Sequence, residues 1–240
     1  MSLLIVIGGD KASGKSTAMS NVKPPLVKKE IKGLDPETTY LFNVWGKPLA
    51  SKYLEKNYIK GKNRLDGHNY INIKKVMSAI SKGKKFKTIV VDDFQYLMSL
   101  DYFEKKDIAG FGKFAEIGFS IVELLVKTLK MREDLTIYLL THTDESIDAK
   151  GKTFIKLKTI GKMLDDTFSF SGMFTWIIES RVMWDEIEDR ATYKFCVDKD
   201  SSYSVARTPI DVFIDEEGKK MKYIPNDLGI VENVVRDYKN

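Results

Sequence analysis

Short apolar runs alternate with amphipathic stretches along this chain, a rhythm that predicts strands and helices in turn. Leu3-Leu4-Ile5-Val6-Ile7 reads as a fully buried strand. Ser16 to Asn21 begins a helix that Pro24 and Pro25 stop early. Thr38 to Val44 has the β-branched and aromatic character of a second strand, and Asn72 to Ser81 is helical on the spacing of Ile73, Val76, Met77 and Ile80. Thr88-Ile89-Val90-Val91 predicts another buried strand, ending at Asp92-Asp93, with a helix starting near Phe94. From Phe111 to Met131, Phe114, Ile117, Ile121, Leu124, Leu125 and Leu129 recur at three- and four-residue steps, so a long amphipathic helix precedes the buried strand Leu135 to Leu140. Later segments change character: Met173 to Asp185, Ala191 to Asp198 and Tyr203 to Phe213 have strand length, and Asp215-Glu216-Glu217-Gly218 is a turn between strands. Asn226 to Tyr238 closes the chain as a helix. The expected fold is α/β, one domain over residues 1–240, with a mostly parallel central sheet flanked by helices and extended by C-terminal antiparallel strands.

The first junction carries the strongest chemistry. Gly9-Asp10-Lys11-Ala12-Ser13-Gly14-Lys15-Ser16 fits G-x-x-x-x-G-K-[ST] at every fixed position, and Thr17 follows. A strand delivering the chain to a glycine-rich turn lets backbone N–H groups converge on phosphate oxygens, with the start of the next helix facing the anion. Lys15 is placed to reach the β- and γ-phosphates, and Ser16 to ligate Mg²⁺.

A second signal is the strand ending in two acids. Asp92 is the candidate metal carboxylate, and Asp93 the candidate general base that activates an attacking water. For Asp93 the competing role is the N-cap of the following helix. Thr141 and His142, at the end of the Leu135 to Leu140 strand, are candidates for a sensor of the γ-phosphate or the lytic water; a loop that is merely polar is the alternative.

Composition excludes several classes. Apolar residues make up 43% and charged residues 30% of 240, ordinary for a globular domain. No apolar run approaches the roughly 20 residues of a membrane span, and the opening run is too short and wrongly flanked for a signal peptide, so a cytoplasmic protein without a membrane partner is expected. The single cysteine, Cys196, rules out an internal disulfide, and with only two histidines a zinc site is disfavoured. Net charge is a modest +5 but unevenly placed. Ser51 to Lys75 carries seven basic residues against Glu55 and Asp66, and Lys150 to Lys162 carries five lysines and no acid. Tyr53, Tyr58 and Tyr70 lie within the first stretch and Phe154 within the second. Lysines interleaved with rings suit single-stranded nucleic acid, phosphates meeting the cations and bases the rings; a solvated lysine-rich surface is the alternative.

Several segments, in order along nearly the whole chain, carry a family resemblance: GGDKASGKST, FNVWGKPL, TIVVDDFQYLM, LTIYLLTHTDE, IKLKTIGKMLDD, TPIDVF and IPNDLGIVENVVRDY. Together they resemble the phage-encoded P-loop proteins of the RecA-like ATPase group, including the Sak4-type recombination ATPases. The resemblance implies a RecA-like core, hydrolysis of ATP with Mg²⁺, single-stranded DNA binding, a role in phage recombination or annealing, a single-strand-binding protein as partner, and a ring or filament of copies in the host cytoplasm. By position, Lys15 and Ser16 match the family's phosphate and metal residues, Asp92 its metal acid, and Thr141 with His142 its polar pair. Lys150, Lys152, Phe154, Lys156, Lys158 and Lys162 fall where such proteins place a mobile DNA-contacting loop. Arg207 falls where related ATPases can send a cation into a neighbour's nucleotide. The chain departs from RecA itself in two ways: the second strand ends with Asn43, so RecA's catalytic glutamate does not transfer, and the first strand begins almost at Met1, where RecA carries a polymerisation segment, so the assembly mode does not transfer either.

Two other classes share these motifs. A small-molecule or nucleotide kinase also opens with a strand and phosphate loop, although no arginine cluster is present to form the usual lid. A DNA-packaging or assembly factor switched by nucleotide would leave Asp93 structural.

Overall fold

From Leu4 to Gly9 the first strand, β1 (Leu3–Gly9), is buried, as its uninterrupted apolar run demands of a strand covered on both faces. The computed structural model describes residues 1–23, 30–110, 112–147, 151, 153–160, 170–187 and 189–239. Among these, the other strands are β2 (Thr39–Asn43), β3 (Arg64–Asp66), β4 (Thr88–Asp92), β5 (Thr136–Ile147), β6 (Thr153–Leu157), β7 (Trp176–Asp185), β8 (Arg190–Cys196) and β9 (Tyr223–Pro225). Their order is β3-β2-β4-β5-β1-β7-β8-β9, with β6 attached to β5. From β3 through β7 the neighbours in this order run parallel, whereas β6, β8 and β9 pair antiparallel. The helices are α1 (Lys52–Asn57), α2 (Tyr70–Lys82), α3 (Gln95–Glu104), α4 (Gly112–Leu129) and α5 (Leu228–Lys239).

Period-two alternation sends side chains from β1 into two cores. Leu4 and Val6 join Phe42, Val91 and Leu139 beneath α2, α3 and α4, through Ile73, Met77, Leu97, Ile117 and Ile121. Ile5 and Ile7 join Leu41, Val90, Tyr138 and Leu140 on the other face, where Leu54 of α1 and Leu228, Val231 and Val235 of α5 cover them. Because both faces are covered, the parallel strands expose their chemistry only at their ends. After β1 the chain crosses to β2 on one side, and β7 later takes the place on the other. The carboxyl end of β1 is therefore a topological switch point, where open α/β sheets form clefts.

The α/β class and the mostly parallel sheet agree with the pattern of apolar runs, and four local expectations do not. Ser16 to Asn21 does not form an α-helix: a single 3-10 turn, Thr17–Met19, ends when Ser20 turns extended and pairs its hydroxyl with Ser51. Buried Ala18 and Met19 tie this turn to the core in place of a longer helix. Met173 to Asp185 was expected among the antiparallel extension, but β7 aligns parallel to β1, with Ile5 opposite Trp176 and Gly9 opposite Ser180. Tyr203 to Phe213 is not a strand. Its backbone turns instead around Glu179, which accepts from Ser204 Oγ at 2.8 Å, Ala206 N at 2.8 Å and Val205 N at 2.5 Å, so those donors never reach a ladder. Finally, β5 runs to Ile147 and folds back as a hairpin with β6. Pro24, Pro25, Phe111, Lys150, Lys152 and Lys162 lie outside the described residues.

Candidate functional site

Parallel register brings the ends of β1, β2 and β4 to one edge, beside the middles of β5 and β7. Gly8 and Gly9 of β1 stand opposite Thr141 and His142 of β5, Gly9 also faces Ser180 of β7, and Asn43 of β2 stands opposite Asp92 of β4. Beside them a cleft of about 460 Å³ opens, within the size range of small-molecule sites. Its walls include Ala12 to Thr17, Asp92, Asp93 and His142. Asn43, Lys47, Leu49, Ile31, Tyr193 and Asn226 also line it and carry no local sequence signal for doing so.

The glycine-rich loop is shaped for close approach. Ala12 at φ 58° and Gly14 at φ 92° take left-handed conformations, turning the backbone of the loop about a hollow. At Gly9 a Cβ would lie 2.5 Å from Ser180 O, so a larger residue cannot pass there. Ser180 Oγ donates to Ser13 O at 2.6 Å and accepts from Asn226 Nδ2 at 2.8 Å, which fastens the loop to β7 and to the approach of α5.

Lys15 folds back over this loop, donating to Gly9 O at 2.8 Å and Asp10 O at 2.7 Å. Burial lowers its pKa to about 8, against the pull of Asp92 and Asp93. Ser16 Oγ donates to Asp92 Oδ1 at 2.9 Å, joining groups 76 positions apart. The same oxygen accepts from Asp93 N at 3.0 Å. Burial, then the neighbouring Asp93 charge, raise the Asp92 pKa to about 6 despite the Ser16 hydrogen bond and Lys47. Asp93 is not a helix N-cap; Phe94 takes that position, and Asp93 stands in left-handed backbone at φ 60°. Its Oδ2 lies 2.6 Å from Lys47 Nζ.

Mg²⁺ prefers hard oxygen donors and keeps several for water and phosphate. Among the described residues no group of three or more His, Cys, Asp or Glu surrounds a point, so an all-protein cage is not built here. A hydroxyl and a carboxylate in contact beside a phosphate-shaped loop fit an ion that completes its shell from a nucleotide.

Thr141 is buried, and its Oγ1 has no hydrogen-bond partner among the described residues. His142 N donates to Gln95 Oε1 at 3.2 Å, and its ring meets Tyr96 edge-on, while Tyr96 packs on the half-exposed Trp45. Burial and then the Lys15 charge lower the His142 pKa from 6.5 to about 4, leaving the ring neutral at pH 7. Its C2 proton resonance is expected to titrate near pH 4. Because the folded pKa is the lower, the stability from this histidine is complete above pH 6.5 and is lost as pH falls from 6.5 towards 4; a midpoint near 6.5 would refute the burial account.

The remaining predicted residues lie elsewhere. Arg207 donates through its guanidinium to Phe174 O at 2.9 Å and to Ser171 O, inside its own chain. Most cations of the first basic stretch pair within the chain too: Arg64 with Glu55 and Asp66, Lys60 with Asp66, Lys62 with Glu37 and Lys74 with Glu123. Phe154 and Lys156 stand on β6, where Phe154 is partly exposed, and Lys158 just beyond its end pairs with Asp144 at 3.0 Å. Lys158 N also donates to His142 O at 2.9 Å, so this strand is bonded to the cleft edge. No family model matches the chain, and comparison with curated proteins finds no match.

Proposed function

We propose that the protein is a Mg²⁺-dependent ATPase with a RecA-like P-loop core, acting on single-stranded DNA in phage recombination or annealing. The observation that carries the hydrolase reading is the 2.9 Å bond from Ser16 to Asp92 at the mouth of the glycine-rich loop. It supports a metal-nucleotide site because the two ligand types required meet there across the fold. Bound Mg²⁺ would neutralise charge between the β- and γ-phosphates. Loop amides and Lys15 hold the phosphates, and Asp93 takes the proton as water oxygen bonds to the γ-phosphorus. The bridging P–O bond breaks, its electron pair stays on the β-phosphate oxygen, and ADP leaves. The DNA arm is supported by Phe154 and Lys156 of β6, and by Lys158 just beyond it, whose backbone bond to His142 joins them to the nucleotide edge. Assembly into a ring or filament, and pairing with a single-strand-binding protein, belong to the same reading.

Phosphate release, measured with and without single-stranded oligonucleotide and beside a panel of nucleoside acceptors, tests it. Expected are ATP hydrolysis that DNA raises several-fold, loss of DNA binding with added salt, and about 100-fold slower turnover in Lys15→Ala. Transfer of phosphate to an acceptor would make the protein a kinase. Flat anisotropy of a fluorescent adenine nucleotide titrated with protein would remove the nucleotide site altogether.

A further inference from the structure

We infer that Lys47 reads the terminal phosphate: its ion pair with Asp93 gives way to a contact with the γ-phosphate when a triphosphate binds, releasing Asp93 to act as base. The inference rests on the hydrolase reading above. Lys47 Nζ lies 2.6 Å from Asp93 Oδ2, and the two side chains differ sharply in exposure, 48% against 6%. One partner is fixed. Asp93 is buried in left-handed backbone, its N–H bonded to Asp92 Oδ1. The other is tethered only at its root: Asn43 Nδ2 donates to Lys47 O at 2.7 Å, and Gly46 N donates to Asn43 O at 3.1 Å at a turn with φ 72°. Those bonds hold the turn against the end of β2 and leave the lysine stem free to swing along the cleft wall.

A lysine paired with the base occupies the acceptor that a lytic water needs. Lys15 shows the same economy, spending its charge on loop carbonyls that phosphate oxygens would replace. A γ-phosphate offers Lys47 more negative charge than one carboxylate does, whereas a diphosphate offers nothing at that position. Transfer of Lys47 thus makes the base available only when a hydrolysable group is present. Asn43 supplies no carboxylate at the end of β2, so Asp93 is the acid whose release matters.

Affinities for ADP and for a non-hydrolysable ATP analogue, measured with Mg²⁺ by competition against a fluorescent nucleotide, separate this from a structural ion pair. In Lys47→Met the analogue should bind about tenfold more weakly with ADP affinity unchanged, and Lys47→Arg should recover most of the loss. Asp93→Asn, which unparks the lysine, should bind the analogue several-fold more tightly. Opposite effects of removing the two partners are the signature. Equal losses for both nucleotides in Lys47→Met, or weaker analogue binding in Asp93→Asn, would overturn the assignment of Lys47 alone. Failure of the unaltered protein to bind either nucleotide would instead overturn the hydrolase reading.

Discussion

Asp92→Asn is expected to stabilise the ligand-free protein while weakening Mg²⁺-dependent nucleotide binding by about 100-fold or more. Asp92 is buried, and its pKa rises from 3.8 to about 6 because burial and the adjacent Asp93 oppose its charge more than Ser16 and Lys47 favour it. The folded protein therefore keeps a proton between pH 4 and 6 that the unfolded chain has released. Stability from this group is full below 3.8 and falls as pH rises through 6, so at pH 7 its ionised form is a burden. Removing the charge returns about 3 kcal/mol, or about 6–12 °C in melting temperature for a chain of this length. Asparagine keeps an oxygen that can accept from Ser16 and from Asp93 N–H, which isolates the charge as the variable. The wild-type melting temperature should fall between pH 4 and pH 6.5 by an increment that the variant lacks. Mg²⁺ with nucleotide should raise the wild type and leave the variant where it was. A variant that melts below wild type in the absence of ligand, or binds the metal nucleotide equally well, would show that Asp92 is an ordinary structural acid.

That balance of cost and use explains which parts of the site could be read from the chain. Asp92 announces itself because three buried apolar residues, Ile89 to Val91, run directly into it, and an acid at the end of such a strand is costly unless something pairs with it. The loop from Gly9 to Ser16 is legible because its spacing is a backbone requirement. His142 and Thr141 follow from the length of the apolar part of β5. Lys47 was hidden because its role depends on a turn folding back across the end of β4, and one lysine among 33 has no local mark. Tyr193 and Asn226 come from the antiparallel extension and from the approach to α5, and only the sheet order carries them to the loop.

The fold was legible to a similar depth and for the same reason. Periodicity identifies β1, β4, α2 and α4 because burial dictates their side chains. It does not say which strand lies beside which, so the parallel docking of β7 against β1 has no signature in its own residues. The extended appearance of Tyr203 to Phe213 misleads because β-branched and aromatic residues also suit a loop packed on a sheet. There a buried carboxylate, Glu179, satisfies the backbone donors that a neighbouring strand would otherwise meet. The missing helix after Ser16 reflects long-range packing of the same kind, and it leaves the glycine-rich loop without the support a helix would give.

What supports it instead makes the second large prediction: Asp227→Ala should destabilise the protein by about 3–5 kcal/mol and lower its melting temperature by about 10 °C. Asp227 is 2% exposed and accepts three backbone bonds, from Lys32 N at 2.9 Å, Gly33 N at 2.9 Å and Gly229 N at 2.8 Å. Through them it clamps the segment from Ile31 to Leu34 to the start of α5. That segment in turn holds the chain leaving the glycine-rich loop, by Leu34 N to Met19 O at 3.0 Å and by paired bonds between Val22 and Ile31 of 2.9 and 2.8 Å. Contact is so close that a Cβ on Gly33, already in left-handed backbone at φ 64°, would stand 2.3 Å from Met19 O. Alanine at 227 leaves three donors without an acceptor in a packed interface, each at the cost of a charge-assisted bond. Asp227→Asn keeps one acceptor oxygen and should fall between the two. Since Ile31 lines the cleft, the loss must reach the ligand: nucleotide affinity should drop in parallel with stability, and saturating nucleotide should restore part of the melting temperature. Urea unfolding with and without nucleotide measures both. An alanine variant within 1 kcal/mol of wild type would mean that the phosphate loop stands without this clamp, and that its shape is held by Ser180 and Asn226 alone.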